Sequence, residues 1–355
     1  MQVSRSAPVQ TVALAAHPSV GRTPGKMPAP DSGTLRVGSF NVENFFDTND
    51  DPPGDPTKTG DKVPTAEEYK IKLAKLALAI KDKIGAPDVL SLAEVENQQV
   101  LEDLLKQPGM KSLGYKAVVG DGNDARGIHV AMIYRAGRVE MTRVEQQNPA
   151  ATLPDTPYDQ VDRTKLFARA PLAIDFRLTG FAQATEGAAF TVIGNHFKSK
   201  LGGPGYEPRR VAQGVFMAGL IDARTAAQPT VPIFVVGDFN ATYEDGAYKA
   251  IANNKDGSER MYDAPLKLSD ADRYTYNYRG RKSMLDHFFV TPGAKSAIDT
   301  MTIPHFNTYD GVKNKAGDPK VADGVSDHDP LVVDFNVSKL FGAAPAAQVT
   351  GSAHK

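Results

Sequence analysis

Leu35–Phe40 alternates apolar with small or polar side chains, the period-two pattern of a strand, and runs into Asn41. An acidic, Pro- and Gly-rich loop follows from Asp47 to Pro64. Thr65, with Glu67 and Glu68 behind it, marks a helix start, the acids lying at the positive end of the helix dipole. Between Tyr69 and Ile84 the apolar positions Ile71, Leu73, Leu76, Ala77 and Ile80 alternate with lysines, which predicts an amphipathic helix ending near Gly85. Pro87 opens a buried strand, Asp88–Leu92, that ends in Ala93-Glu94-Val95-Glu96, and a second helix is expected over Val100–Lys106.

The middle of the chain reads differently. Tyr115–Val119, Ile128–Tyr134, Ala170–Leu178 and Ala189–Gly194 are short strand-like runs separated by turns, with no strong helical pattern between them. A helix is predicted over Arg209–Arg224. Pro232–Val236 is a buried strand ending in Gly237-Asp238-Phe239-Asn240, and late strands are expected at Leu285–Val290 and Leu331–Phe335. Helices and strands in blocks of mixed order predict an α/β sandwich, two packed sheets with helices outside. No internal repeat and no linker divides it.

Composition narrows the function classes. With 41 Lys+Arg against 42 Asp+Glu among 355 residues, the formal charge is -1, which argues against a protein that coats nucleic acid and leaves room for a local basic groove. The absence of Cys excludes disulfides, thiolate metal sites and a Cys nucleophile. No apolar stretch reaches the length of a membrane span. Residues 1–34, rich in Pro, Ala, Ser and Gly, are expected to form a flexible N-terminal segment. Their apolar run Thr11–Ala16 is too short for an ordinary signal-peptide core. The folded domain is expected over 35–337, with 338–355 a flexible tail.

Several predicted strands end in metal-competent polar residues: Asn41 and Glu43, Glu94, Asn195 and His196, Asp238 and Asn240, and Asp286. Ser326-Asp327-His328-Asp329-Pro330 precedes the last strand. Strand ends of packed sheets converge on one edge, where a rigid scaffold builds a site. Carboxylates, amides and neutral imidazole suit a hard cation such as Mg²⁺ or Mn²⁺. Taken singly, each has a plainer account: Asp238 and Asn41 as turn or cap residues, His196 as a hydrogen-bonded core histidine. Glu94 is harder to explain that way, because a carboxylate ending an apolar strand is costly unless paired or metal-bound. The recurrence of such clusters at the same structural position is what turns residues into a site.

The segments Ser39-Phe40-Asn41-Val42-Glu43-Asn44, Leu92-Ala93-Glu94-Val95-Glu96, Gly194-Asn195-His196-Phe197-Lys198-Ser199-Lys200, Gly237-Asp238-Phe239-Asn240, Leu285-Asp286-His287 and Ser326-Asp327-His328-Asp329-Pro330 together resemble the endonuclease/exonuclease/phosphatase superfamily, in that family's order. Their wording is similar to that of bacterial extracellular or periplasmic DNases, although the family more often has Gln at the position of Ala93. The resemblance implies a four-layer, DNase I-like α/β sandwich, two packed mixed β-sheets flanked by helices. It implies that Glu94 with Asn41 binds a catalytic Mg²⁺ or Mn²⁺, with Asp327 a further ligand and a second metal allowed. His328 would contact the scissile phosphate, oriented by Asp286. Asp238 would orient or deprotonate the attacking water, Asn240 would hold the phosphate, and His196 would serve on the leaving-group side as general acid or phosphate contact.

Further candidates lie around this set. Arg126 precedes a strand and is a candidate phosphate clamp, with His129, where relatives often carry Asp, read as a packing residue. Arg169, in a stretch similar to the family's Arg-Pro-Pro segment, is read as a substrate contact or a structural ion pair. Lys198, Lys200, Arg209 and Arg210 bracket the Gly-rich loop 202–205 beside His196, a basic loop suited to a polyanion or simply solvated. Tyr274, Tyr276 and Tyr278 alternate, chiefly a strand signature, with one of them a candidate to stack on a base. The acidic loop with Asp47, Asp50, Asp51 and Asp55 admits an additional structural Ca²⁺, although its spacing matches no known ligand pattern.

The resulting expectation is a metal-dependent nuclease acting on DNA, with RNA as the variant, without membrane insertion or an implied protein partner. A phosphomonoesterase, a lipid phosphodiesterase such as a sphingomyelinase-like enzyme, and an inactive scaffold are the rivals, since fold does not choose among them. The absence of Trp weighs against a lipid interface. A secreted or periplasmic location is expected, with a cytoplasmic one as the alternative.

Overall fold

The computed structural model describes residues 25–49, 63–122, 124, 126–150, 165–179, 181, 188–201 and 203–342. Its elements follow in chain order. β1 (Thr34–Phe45), α1 (Ala66–Leu78), β2 (Val89–Val95), α2 (Gln98–Leu105), β3 (Tyr115–Val119) and β4 (His129–Arg135) form the opening unit. β5 (Val139–Gln146), β6 (Leu172–Leu178), β7 (Ala189–His196), α3 (Glu207–Ala227), β8 (Ile233–Asp238), α4 (Gly246–Ala252) and β9 (Tyr262–Asp263) form a second. The hairpin β10 (Tyr276–Tyr278) and β11 (Arg281–Ser283) leads to β12 (Asp286–Val290), β13 (Ile298–Thr302), β14 (Leu331–Asn336) and α5 (Val337–Phe341).

Two six-stranded sheets result, ordered β13-β14-β1-β2-β4-β3 and β5-β6-β7-β8-β12-β9. Each has one parallel pair at its centre, β1 with β2 and β7 with β8, and antiparallel neighbours elsewhere. The sheets pack face to face through Val37, Met132 and Val333 on one side and Ile174, Phe190, Val236 and Phe288 on the other. Phe234 of the second sheet stacks on Phe335 of the first with ring centroids 4.5 Å apart. Leu73, Leu76 and Leu101 of α1 and α2 cover the outer face of the first sheet, and Met217, Ile221 and Ile251 of α3 and α4 cover that of the second. The sandwich therefore has the four layers, with mixed sheets inside, that the resemblance implies.

Helix α1 starts where its sequence signals place it. Thr65 Oγ1 accepts from Glu68 N at 3.2 Å, and Glu68 Oε2 accepts from Thr65 N at 2.9 Å, a reciprocal capping box. One lysine of its amphipathic pattern is buried. Lys75 Nζ donates into a cage of backbone carbonyls from Lys315, Asp318, Val321 and Asp323 at 2.8–3.2 Å, tying the loop ahead of β14 to the helix. Part of the expected N-terminal segment is docked: Met27 N donates to Asp82 O at 2.7 Å and Arg36 Nη1 to Pro28 O at 2.6 Å. Of the acidic loop considered for Ca²⁺, Asp50, Asp51 and Asp55 lie outside the described residues; Asp47 accepts from Asn97 Nδ2 at 3.1 Å.

Candidate active site

Strand direction explains why residues far apart in sequence meet. β12 and β14 run against β8 and β1, so their N-terminal ends share one edge of the sandwich with the C-terminal ends of β1, β2, β7 and β8. Side-chain parity explains why they face inward. Phe190 and Val192 of β7, Phe234 and Val236 of β8, and Phe288 and Val290 of β12 point into the inter-sheet core, and the same alternation turns His196, Asp238 and Asp286 to that side. In register, His196 is beside Asp238 and Asp238 beside Asp286, one polar row across the second sheet.

The first sheet supplies the facing row. Asn41 continues the inward parity of Leu35 and Val37. Glu94 would fall on the helix side, but the pairing of β2 with β4 slips between Ala93 and Val95, and Glu94 adopts φ 66°. This bulge turns the carboxylate into the cleft at the expense of a left-handed backbone that a Glu seldom takes. Glu43, Asn44 and Asn240 also have positive φ, so four of the six such non-glycine residues described lie at the site, Ala86 and Arg279 being the others. The sheets come close beneath it because Gly194 has no side chain: a Cβ there would lie 2.4 Å from Ser91 Oγ and 2.9 Å from Val130 Cγ1.

Asp238 is the meeting point. Its Oδ2 accepts from Asn41 Nδ2 at 3.1 Å and lies 3.7 Å from His196 Nε2 and 3.8 Å from His328 Nε2. Its Oδ1 accepts from Asn240 N at 2.8 Å. Asn41 Nδ2 also faces Glu94 Oε1 at 3.3 Å, and Glu94 Oε2 accepts from Asn44 N at 2.9 Å. His328 comes from the loop ahead of β14, and its Nδ1 is 2.6 Å from Asp286 Oδ2. That loop is pinned to β1 by Ser326, whose Oγ donates to Asn41 O at 2.7 Å. Asn307 Nδ2 donates to His328 O at 2.7 Å. The side chain of Asn240 turns away, its Nδ2 donating to Phe197 O at 3.3 Å.

The electrostatics follow from burial and crowding. Burial, with Asp286 and Glu94 nearby, pushes Asp238 up to about 7. Burial alone would lower the His328 imidazole, but Asp286 and Asp238 outweigh it and hold its pKa well above the ordinary value. His196 is driven well below by burial and by Arg169 and Arg126, so it is neutral. Its Nε2 faces the carboxylates of Asp238 and Glu94 at 3.7 and 3.8 Å, whereas its buried Nδ1 has no hydrogen-bond partner among the described residues, which favours the proton on Nε2. One imidazolium and one neutral imidazole thus flank a proton-accepting carboxylate.

A metal ion fits this chemistry. Asp238, Asp286 and His328 are buried and present ligand atoms within 4.8 Å of one another. Glu94 and Asp238 form an oxygen-rich alternative; Asn41 presents Nδ2 to both carboxylates, while its Oδ1 accepts from Glu43 N at 3.0 Å. Asp327, at the exposed rim, lies 3.9 Å from His328 Nε2. Burial and Asp327 raise the half-buried Glu43 carboxyl, a further acid at this edge. Acids gathered at this density favour a cation of charge two among oxygen donors.

The outlying candidates are placed as follows. Arg126 Nη1 donates to Asn44 Oδ1 at 2.9 Å and stands 3.8 Å from Glu94 Oε2, partly exposed at the rim. Arg169 is buried and grips the carbonyls of His196 and Phe197 and the carboxylate of Asp124, so it braces the end of β7 from behind. His129 is half-buried at the start of β4. Lys198 Nζ sits 4.2 Å over the Tyr206 ring, Lys200 pairs with Asp245, Arg209 donates to Leu166 O and Lys165 O, and Arg210 pairs with Glu207. The loop cations beside His196 are thus turned onto their own chain. Sequence reasoning passed over Lys72, whose Nζ joins Glu43 O and Val325 O at 2.9 and 2.6 Å, and also Asp124 and Asn307. None of the three sits in a recognisable motif.

Comparison with known proteins identifies the family and the fold. The family model of the Endonuclease/Exonuclease/phosphatase family matches residues 36–336. No curated protein matches the sequence. The fold is similar to the human Nocturnin catalytic domain with bound sulfate anion (TM-score 0.53, 19% identity, 87% of this chain and 95% of that one). It is also similar to an endonuclease/exonuclease/phosphatase family protein from Bacteroides thetaiotaomicron (TM-score 0.57, 18% identity, 85% and 97%). A third similar structure is D. rerio TDP2 complexed with single strand DNA product (TM-score 0.54, 17% identity, 85% and 99%). With the family match spanning both sheets and every strand end of the site, the chain belongs to the endonuclease/exonuclease/phosphatase family.

Proposed function

We propose that this chain is a divalent-metal-dependent phosphodiesterase that hydrolyses DNA. The observation that carries the reading is the convergence on buried Asp238 of Asn41, His196 and His328 at 3.1, 3.7 and 3.8 Å, with Glu94 alongside. This combines a proton acceptor, an imidazolium and a neutral hydrogen-bond donor at one strand-end cluster.

In this reading Glu94 holds Mg²⁺ or Mn²⁺ with Asp327, and Asn41 joins them through Oδ1 once its amide turns over from Glu43 N, which leaves Asp238 as the proton acceptor. We favour these over Asp286 and His328, which are already joined to each other at 2.6 Å. When bound, such an ion supplies positive charge to the phosphate and the leaving oxygen. Asp238 accepts the proton of the attacking water as its oxygen bonds to phosphorus in line with the bond that breaks. His328, kept protonated, faces the non-bridging oxygens; His196 hydrogen-bonds the departing oxygen through Nε2–H, and that oxygen takes its proton from solvent as the bond to phosphorus breaks. The single strand DNA product reported with TDP2 supports extending a DNA substrate to this chain.

The test is cleavage of DNA, as supercoiled plasmid and as single-stranded oligonucleotide, and hydrolysis of bis(p-nitrophenyl) phosphate with Mg²⁺ or Mn²⁺, using Asp238→Ala and His328→Ala as controls. Each variant should lose about 10²–10⁴-fold in kcat on both substrates. No metal-dependent cleavage of either substrate would sink the enzyme reading. Cleavage of the small diester or of a monoester, with DNA left intact, would keep the phosphoesterase and remove the nuclease.

A further inference from the structure

Beside His328 stands a small feature the mechanism above does not use, the hairpin β10–β11. Tyr276 forms an isolated antiparallel bridge with His328, and their rings lie 5.1 Å apart. Asn277 Nδ2 anchors the ribbon to Thr308 O at 2.8 Å. The ribbon is thus keyed to the catalytic imidazole on one side and projects from it on the other.

Its tip is chemically unusual. Tyr278 pairs with Arg281 across a two-residue turn of Arg279 and Gly280, with φ 50° and 83°. Two successive positive φ values define the hairpin turn that Asn-Gly fills most easily, and here a long cationic side chain takes the strained first position. The Arg279 guanidinium lies 5.2 Å from the centre of the Tyr278 ring. Tyr278 is 55% exposed, the one aromatic among the exposed large hydrophobic residues described.

The pleat settles where these groups face. Tyr276 and Tyr278 are two residues apart and so share a face, and Arg281, directly opposite Tyr278, shares it too. That face is the one presented to His328. Two strand residues advance the ribbon by about 7 Å, so the Tyr278 ring lies roughly one nucleotide step beyond the imidazole. On the other face Lys282 Nζ caps the Tyr274 ring at 3.9 Å.

We infer that the β10–β11 hairpin is a docking arm for single-stranded nucleic acid, with Tyr278 stacking on the unpaired base next to the scissile phosphate and Arg279 and Arg281 holding the flanking phosphates. The inference rests on the nuclease reading and names its substrate class. A duplex hides its base faces in the stack and offers this ring nothing to lie against, whereas an unpaired base presents a π-face to an aromatic and a guanidinium together. On a chain of net charge -1, two exposed arginines placed here concentrate attraction for the phosphate backbone where it is used.

The experiment is fluorescence anisotropy of labelled oligothymidylate and of a blunt duplex in EDTA, so that binding is read without hydrolysis. The variants are Tyr278→Ala, Tyr278→Phe and Arg279→Asn/Arg281→Gln, the Asn being well suited to the turn and expected to preserve the hairpin. Tyr278→Ala should weaken single-strand binding about tenfold while Tyr278→Phe retains it. The double variant should lower the slope of log affinity against log salt by about 0.7 for each phosphate that is no longer neutralised. Hydrolysis of bis(p-nitrophenyl) phosphate by all three should match the unsubstituted chain. Equal affinity for duplex and single strand, or Tyr278→Ala binding as tightly as Tyr278→Phe, would overturn the inference. Failure of the nuclease reading shows differently, as hairpin-dependent binding of the oligonucleotide with no cleavage of DNA when metal is added.

Discussion

Asp286 illustrates how much of the chemistry is set by groups one step behind the substrate. Its carboxylate accepts from His328 Nδ1 at 2.6 Å, and, after burial, it heads the influences on the imidazole. Asp286→Asn should therefore lower kcat by about a hundredfold or more. The sign of its pH effect is also determined. Because Asp286 raises the folded pKa of His328, the protonated form survives to higher pH in the unsubstituted chain. Without it, the alkaline limb of the pH–rate profile for bis(p-nitrophenyl) phosphate should move to lower pH, and an unmoved limb would contradict the assignment. At this scale the sequence was informative where residue type and strand end coincide: Asn41, His196, Asp238, Asp286 and His328 were all readable as members of one site. It was silent on orientation. Nothing in Leu92-Ala93-Glu94 announces that Glu94 sits at φ 66° and is turned inward by a bulge, nor that Arg169 faces the carbonyls behind His196. Lys72 was invisible because a lysine on an amphipathic helix looks solvated until the loop that covers it is known.

Lys75 carries the same lesson to the level of elements. Its ammonium replaces water for four carbonyls of the 315–323 loop, and that loop delivers Ser326, Asp327 and His328 to the cleft. Lys75→Met should cost about 3 kcal/mol, since buried carbonyls would be left without donors. Urea denaturation measures this, and an unchanged midpoint would show that the loop holds without the cage. Thr65→Ala removes the capping box of α1 and should cost about 1 kcal/mol in the same assay. The elements that sequence patterns predicted are those with one face in a core, such as β2, β4, β8 and α1. Those it passed over include β5, β9 and β13, at sheet edges, the short β11 and α5, and α4, only seven residues long, whereas the edge strand β3 was readable. Edge strands alternate weakly because one side meets solvent along most of their length; β5, Val139–Gln146, has only one fully buried position. Short helices complete too few turns for a period to show.

For the whole molecule, the spacing of the two sheets sets the width of the site. Gly194→Ala should force them apart against Ser91, destabilise the fold by about 1–3 kcal/mol and depress activity, with Ser91→Gly restoring part of both in the double variant. Additive losses in that cycle would show that the close approach is not the cause. Global stability should also depend on pH through His287, whose two ring nitrogens face Asp263 Oδ2 and Ala241 O, both at 2.8 Å. Burial lowers its pKa, but Asp263 outweighs this and raises it above 6.5. Its stabilisation is complete below the unfolded value of 6.5 and is lost as pH rises through the folded one. The urea midpoint should fall over that interval, and His287→Gln should flatten the fall; an equal fall in both would assign it to another group. The pairing of Thr34 with Asn336, and the bond from Val337 N to Gly33 O at 3.0 Å, join the two boundaries of the sandwich at the edge opposite the cleft. A tether attached at either boundary therefore grips the domain by its base, and the cleft points away from whatever surface, fusion partner or bead the tether is fixed to.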